Sequence, residues 1–140
     1  MRLFIDTNVV MDAIVPGRSG EKEALDIISL SKHPEIRLRI LSLSIANIVY
    51  LAHKYLPKSS IIEYVKRIYR EWKIIPLGDM DIDFAMKSDC PDFEDALQIS
   101  AAEMESDVIV TNNKKHFEPY TALPVFTPAE VLDKLREHQL

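Results

Sequence analysis

Apolar positions fall along this chain in two rhythms. Short apolar runs recur at Leu3-Phe4-Ile5, Leu38-Arg39-Ile40-Leu41 (interrupted by Arg39), Lys73-Ile74-Ile75-Pro76-Leu77, Asp107-Val108-Ile109-Val110 and, more weakly, Leu123-Pro124-Val125-Phe126. Each is bounded by polar, Gly or Pro residues and reads as a buried strand. Between them the spacing turns helical. Val9 to Ile14 forms a short helix stopped by Pro16-Gly17. Ala24, Leu25, Ile28 and Ser31 share one face of a helix capped by Ser19 and ended by Pro34. Ile45, Ile48, Val49, Ala52 and Tyr55 share another, capped by Ser44. Ile61, Ile62, Val65, Ile68, Tyr69 and Trp72 form the stripe of a third. Helices are also expected from Asp79 to Ala85 and from Asp92 to Met104. Thr127-Pro128-Ala129-Glu130 opens a last one with a capping box and Pro at the first helical position. Strands that alternate with helices predict an α/β fold with a parallel sheet. In such sheets chemistry collects where the strands end.

Composition narrows this picture. The 140 residues fit a single domain spanning 1–140, and 47% hydrophobic residues suffice for a packed core. The three glycines, Gly17, Gly20 and Gly78, build no phosphate-cradling loop. One cysteine, Cys90, precludes an internal disulfide and fits a reducing cytoplasm; Pro91 behind it argues against a nucleophile elbow. The four histidines show no zinc spacing. The longest stretch without a charged residue, Ile40 to His53, is shorter than the ~20 residues of a membrane span. The N-terminal run Met1-Arg2-Leu3-Phe4-Ile5 meets the charge of Asp6 too early for a signal peptide. A cytoplasmic protein without a membrane segment is expected.

The candidate chemistry lies at the strand ends. Asp6 follows the first strand, Asp92-Phe93-Glu94-Asp95 opens the helix before the fourth, and Thr111-Asn112-Asn113 follows the fourth. Parallel strands bring these groups to one edge. Asp6, Asp92, Glu94 and Asp95 would then crowd one pocket, an arrangement that a divalent cation such as Mg²⁺ or Mn²⁺ compensates. Each group alone has a plainer role: Asp92 as an N-cap, Glu94 and Asp95 as first-turn acids, and the two Asn as turn residues. Helix spacing puts Asp92 and Asp95 on one face, whereas Glu94 enters only if the helix start points straight at the pocket.

The segments Phe4-Ile5-Asp6-Thr7-Asn8-Val9-Val10-Met11-Asp12, Ser42-Leu43-Ser44-Ile45-Ala46-Asn47-Ile48-Val49-Tyr50, Asp92-Phe93-Glu94-Asp95-Ala96-Leu97-Gln98 and Val108-Ile109-Val110-Thr111-Asn112-Asn113-Lys114-Lys115-His116-Phe117 resemble the PIN-domain family. Val125 to Leu132 resembles its closing strand and helix. The resemblance implies a three-layer α/β/α fold with a central parallel sheet of four to five strands. It also implies a metal-dependent ribonuclease leaving 5′-phosphate and 3′-hydroxyl ends. Many bacterial members are toxins held by an antitoxin, and members are often homodimers. The family's four acidic positions correspond here to Asp6, Asn47, Asp95 and Asn113, so two of the four are amides. The resemblance makes Asp6, Asp92 and Asp95 metal ligands, with Glu94 as an added catalytic acid. Asn8, Asn47, Thr111, Asn112, Asn113 and Lys114 become site support or phosphate contacts. An amide oxygen still ligates a hard cation but brings no charge. A PIN-like binding module with weakened catalysis is the alternative.

Charge is uneven. His53 to Lys73 carries six basic residues and two acids, whereas Gly78 to Asp107 carries ten acids and only Lys87. The basic helix suits either solvent or an RNA backbone. Tyr50, one turn from Asn47, is expected in the core, with base stacking as the other option. Two further classes fit less well. A phosphoacceptor receiver domain needs a second acid beside Asp6, and a haloacid-type phosphatase needs Asp where Asn8 stands. The net charge of −5 excludes tight RNA binding by bulk positive charge, not RNA as a substrate.

Overall fold

The computed structural model describes residues 1–140. In chain order the elements are β1 (Arg2–Ile5), α1 (Thr7–Ile14), α2 (Glu21–Ser29), β2 (Arg37–Leu41), α3 (Ser42–Ala52), α4 (Lys58–Glu71), β3 (Lys73–Ile75), α5 (Asp79–Lys87), α6 (Phe93–Glu105), β4 (Val108–Val110), α7 (Lys114–Phe117), β5 (Val125–Phe126) and α8 (Pro128–Arg136). The five strands form one sheet in the order β3-β2-β1-β4-β5, and every pairing is parallel. Helices cover both faces, which gives the expected three-layer α/β/α fold.

Strand alternation sorts the core into two halves. Leu3, Ile5, Leu38, Ile40, Val108 and Val110 join α1–α4 and α8 on one face. Phe4, Leu41, Ile109 and Val125 join α5, α6 and α7 on the other. The chain runs outward from β1 through β2 to β3, then returns to place β4 on the opposite side of β1. The order therefore reverses between β1 and β4. Parallel sheets leave a crevice at such a switch point, beyond the strand carboxyl ends.

Several local expectations shift. Helix α2 is capped by Gly20 at φ +83°, not by Ser19, because the turn after Gly17 needs a left-handed residue there. Helix α3 begins at Ser42 directly after β2, so Ser44 lies inside its first turn and its hydroxyl is released for other use. Tyr50, expected in the core, is 75% exposed. Ser44, Ile48 and Ala52 make the inner face of α3, and Tyr50 lies about 200° around the helix from Ile48. Tyr69 is equally exposed, since Ile61 and Ile68 already face the sheet, and Tyr55 lies beyond the end of α3. Helix α7 has four residues, too few to show a period in the sequence. No helix is long and apolar enough to cross a membrane.

Gly20→Ala is expected to lower stability by about 1 kcal/mol in chemical denaturation. An added Cβ meets only Asn112 Nδ2 at 3.7 Å and Asp12 Oδ2 at 3.8 Å, so the cost comes from the backbone conformation. An unchanged midpoint would show that the turn relaxes at no cost.

Candidate functional site

The switch point builds the site. Ile5 pairs with Val110, and one residue further on Asp6 N–H donates to the Val110 carbonyl at 3.0 Å. Asp6 and Thr111 therefore sit side by side just past the paired ends. Their side chains alternate away from Ile5 and Val110, onto the face that α6 covers. Thr111 Oγ1 donates to Asp6 Oδ2 at 2.8 Å, and Gln98 Nε2 donates to Asp6 Oδ1 at 3.1 Å. Gln98 Oε1 accepts the Thr7 N–H at 3.3 Å, so this one amide spans two consecutive residues at the end of β1. Thr7 Oγ1 lies 2.7 Å from Ser44 Oγ and 3.4 Å from Glu94 Oε1. The hydroxyls of Ser44 and Thr7 thus form a short chain that ends on the Glu94 carboxylate.

Helix α6 supplies the acids because of its register. Glu94, Asp95 and Gln98 are related as i+4 and i+3, so they share one end of the helix face that meets β1. Asp92 Oδ1 accepts the Asp95 N–H at 2.9 Å, and Asp92 is exposed. It caps α6, the plainer of its two expected roles. Glu94, expected to enter only with the helix aimed at the pocket, is the residue that reaches Thr7.

The charges in this pocket are poorly compensated. Asp6 is 2% exposed, and burial raises its pKa against the pull of the hydrogen bonds from the Thr111 and Gln98 side chains and the Asn8 backbone, with the Glu94 charge adding to the rise. Burial, together with the charges of Asp92, Asp6 and Glu94, pushes Asp95 up to about 7. No lysine or arginine lies within 4 Å of these four carboxylates. The basic neighbour is His116, whose Nδ1 is 3.6 Å from Asp95 Oδ2.

The Asn8 side chain is exposed, and its backbone N–H faces Asp6. Asn47 is partly exposed on α3, one turn beyond Ser44. Asn112 Nδ2 donates to Asp12 Oδ2 at 2.8 Å, while Arg18 Nε lies 3.0 Å from Asp12 Oδ1. That residue braces the loop after β4 against α1. Asn113 is exposed, and its backbone N–H donates to Thr111 Oγ1 at 3.0 Å, orienting the hydroxyl toward Asp6. Lys114 Nζ is held by both Glu130 oxygens at 3.1 and 3.2 Å, turned to α8. Gln98, Thr7 and Ser44 also belong to the site: Thr7 stands at the end of the first strand and Ser44 was expected as a helix cap, but no strand end or cap marked Gln98. The available signal was Gln98 itself, a lone amide inside the apolar stretch Ala96 to Ala102.

The donor set suits a hard divalent cation in kind: all oxygen, with excess negative charge and one carboxylate locked from behind. No three acidic, histidine or cysteine side chains converge into a ready-made metal cluster. Mg²⁺ tolerates this, because it retains waters and takes phosphate oxygens to complete its shell.

Fold and pocket together define a three-layer α/β/α protein with an acidic, oxygen-lined site at the switch point of a parallel sheet. The PIN-domain sequence profile matches residues 2–115, and the chain belongs to the PIN-domain family. No curated protein sequence matches this one closely enough to count as a relative. Among solved structures, the fold is similar to that in VapBC2 from Rickettsia felis, crystallised with a DNA fragment of its promoter. The TM-score is 0.69 and the identity 21%, covering 91% of this chain and 98% of that one. VapBC-1 from nontypeable Haemophilus influenzae gives a TM-score of 0.67 at 16% identity, covering 92% and 99%. VapC20 of Mycobacterium tuberculosis, a toxin that cleaves the sarcin–ricin loop, gives 0.62 at 12% identity, covering 76% and 86%.

Proposed function

We propose that this PIN-domain protein is a metal-dependent endoribonuclease and the toxin half of a toxin–antitoxin pair. The observation that carries the reading is the buried Asp6 carboxylate, held at the switch point by Thr111 and Gln98, with Glu94 on the adjacent Thr7 and Asp95 on the same helix end, and no lysine or arginine paired to any of them. Such charge is costly to hold in the empty protein and is useful when a divalent cation and a phosphodiester bring their own charges. Similarity to VapC20 supports RNA as the substrate, and similarity to the VapBC complexes supports an antitoxin partner.

In this reading Asp6 and Asp95 hold Mg²⁺ or Mn²⁺, with Glu94 as a third anionic group. A bound divalent ion would lower the pKa of an attacking water and offset charge on the phosphate. The protein's own residues prepare that step. Thr111 and Gln98 fix both Asp6 oxygens, which prevents rotation of the carboxylate. Thr7, itself in contact with Ser44, meets Glu94 at its Oε1. Asp92 secures the first turn of α6 and so the aim of Asp95.

Incubation with RNA tests this. Cleavage is expected with Mg²⁺ or Mn²⁺, should stop in EDTA, and should fall by about 10³-fold in Asp6→Asn. Cleavage that persists in EDTA would overturn the metal-dependent reading. A second reading rests on a specific observation, since two amides, Asn47 and Asn113, stand where acids are expected and no three-ligand cluster is ready-made. A catalytically weakened binding module would show Mg²⁺ dissociation constants above about 10 mM by calorimetry and no RNA turnover.

A further inference from the structure

One cavity lies between α2 and α8 and another between α5 and α6; neither touches the carboxylates. A third cleft, of about 310 Å³, does. Its walls include Asp92 and Asp95 at the start of α6, Lys115 and His116 on α7, and Tyr120 in the 3₁₀ turn that follows. The two walls are tied from behind. The Cys90 Sγ lies 3.5 Å from the Asp92 carbonyl and 3.8 Å from the His116 carbonyl, so it sits between the two walls within donating distance of either. Phe117, fully buried, anchors α7 beneath. The cleft is therefore formed in advance of any ligand.

Its chemistry is mixed in an ordered way. Asp95 forms the end nearest Asp6. Lys115 is exposed and has no acidic partner within 4 Å, unlike its neighbour Lys114, which Glu130 holds. Tyr120 is half-buried and offers part of its ring. His116 is 63% exposed in its side chain and leans on Asp95. A cation, an aromatic face and a polar rim beside a phosphodiester site are the elements that hold one nucleotide of a single strand. The volume lies at the small end of ligand pockets, the range that suits one such unit.

We propose that this cleft is a nucleotide subsite, which seats the ribonucleotide next to the scissile phosphate, with its base on Tyr120 and its own phosphate against Lys115. The proposal rests on the ribonuclease reading for the direction of the strand, but nucleotide binding can be measured without cleavage. Two experiments separate them. In the first, backbone NMR of the wild-type protein is recorded with 5′-AMP, with 5′-UMP and with inorganic phosphate. Shifts centred on Lys115, His116 and Tyr120 with either nucleotide, and much smaller ones with phosphate, are expected. Equal shifts with phosphate alone would mean an anion site only, and no shifts at these residues would remove the subsite; either result overturns the proposal. In the second, Lys115→Ala and Tyr120→Leu are assayed on RNA. KM is expected to rise about 5- to 50-fold with kcat within about threefold, since both contacts bind substrate without touching the reacting atoms. Unchanged KM in both variants, with wild-type cleavage intact, defeats the subsite and leaves the nuclease. Nucleotide shifts at the cleft without any RNA cleavage defeat the nuclease and leave the subsite. If a variant does not fold, the wild-type NMR titration still decides.

Discussion

Asp95→Asn is expected to make the metal-free protein more stable at neutral pH while reducing RNA cleavage by about 10³-fold. The two effects have one origin. Asp95 titrates at about 7 in the fold because it is buried beside Asp92, Asp6 and Glu94, whereas an unfolded aspartate titrates near 3.8. Between those values the folded chain binds more protons than the unfolded one. Stability therefore falls as pH rises from about 4 to about 7, and levels off above. Partial solvent access at Asp95 screens the penalty, which leaves about 2 kcal/mol by pH 8. Asparagine is neutral throughout, so the variant should lose this slope and exceed the wild type by that amount at pH 8. Below pH 4 the two should converge. Urea melts at several pH values, in EDTA, measure the difference. Added Mn²⁺ should raise the wild-type midpoint at pH 8 and leave that of the variant nearly unmoved. Parallel pH profiles for the two proteins would show that Asp95 is not strained by its neighbours, and the charge argument for the site would fall with it.

Gln98→Leu should cost more in stability than any surface change, about 2–3 kcal/mol. Leucine keeps much of the volume but removes the donor to Asp6 Oδ1 and the acceptor of the Thr7 N–H. Two buried polar groups lose partners at once, one of them a carboxylate. Metal affinity should fall about 10- to 100-fold, because Asp6 loses half of its fixed orientation. Gln98→Glu makes a sharper comparison. It retains an acceptor for Thr7 but places a second carboxylate against Asp6, so its stability should improve as pH falls, where the new acid protonates. Denaturation and Mn²⁺ calorimetry on the pair read both effects. Wild-type metal affinity in Gln98→Leu would mean that Thr111 alone orients Asp6.

These two residues also show what was legible before folding. Asp95 stood out as an acid at the start of a helix, in a run that resembles a PIN domain. Gln98 did not, because a glutamine between Leu97 and Ile99 carries no local signal of its partner. The expectation for Asp92 and Glu94 shows the same limit. Helical spacing set Asp92 beside Asp95, and the two line one cleft, but it left open whether Glu94 enters the pocket, and Glu94 is the acid that reaches Thr7. Spacing along one helix cannot tell which side of it faces the neighbouring strand. Lys114 had the expected phosphate role, but α8 brings Glu130 to it and leaves the adjacent Lys115 without an acidic partner.

By itself, the sequence determined what local physics controls. Apolar runs and helical stripes set the order of strands and helices, and Thr127 with Glu130 set the start of α8. The turn residues placed Asp6 and Thr111 at strand ends. Only the tertiary structure decided which of the polar groups meet. The bond from Thr111 to Asp6 spans 105 residues, and that from Gln98 to Asp6 spans 92. Both depend on β4 returning to lie beside β1 and on α6 docking over that seam in one register. Burial patterns specify that α6 has an inner face. The partners on that face follow from rotation and sliding of the whole helix against the sheet, which close packing of side chains distant in sequence settles.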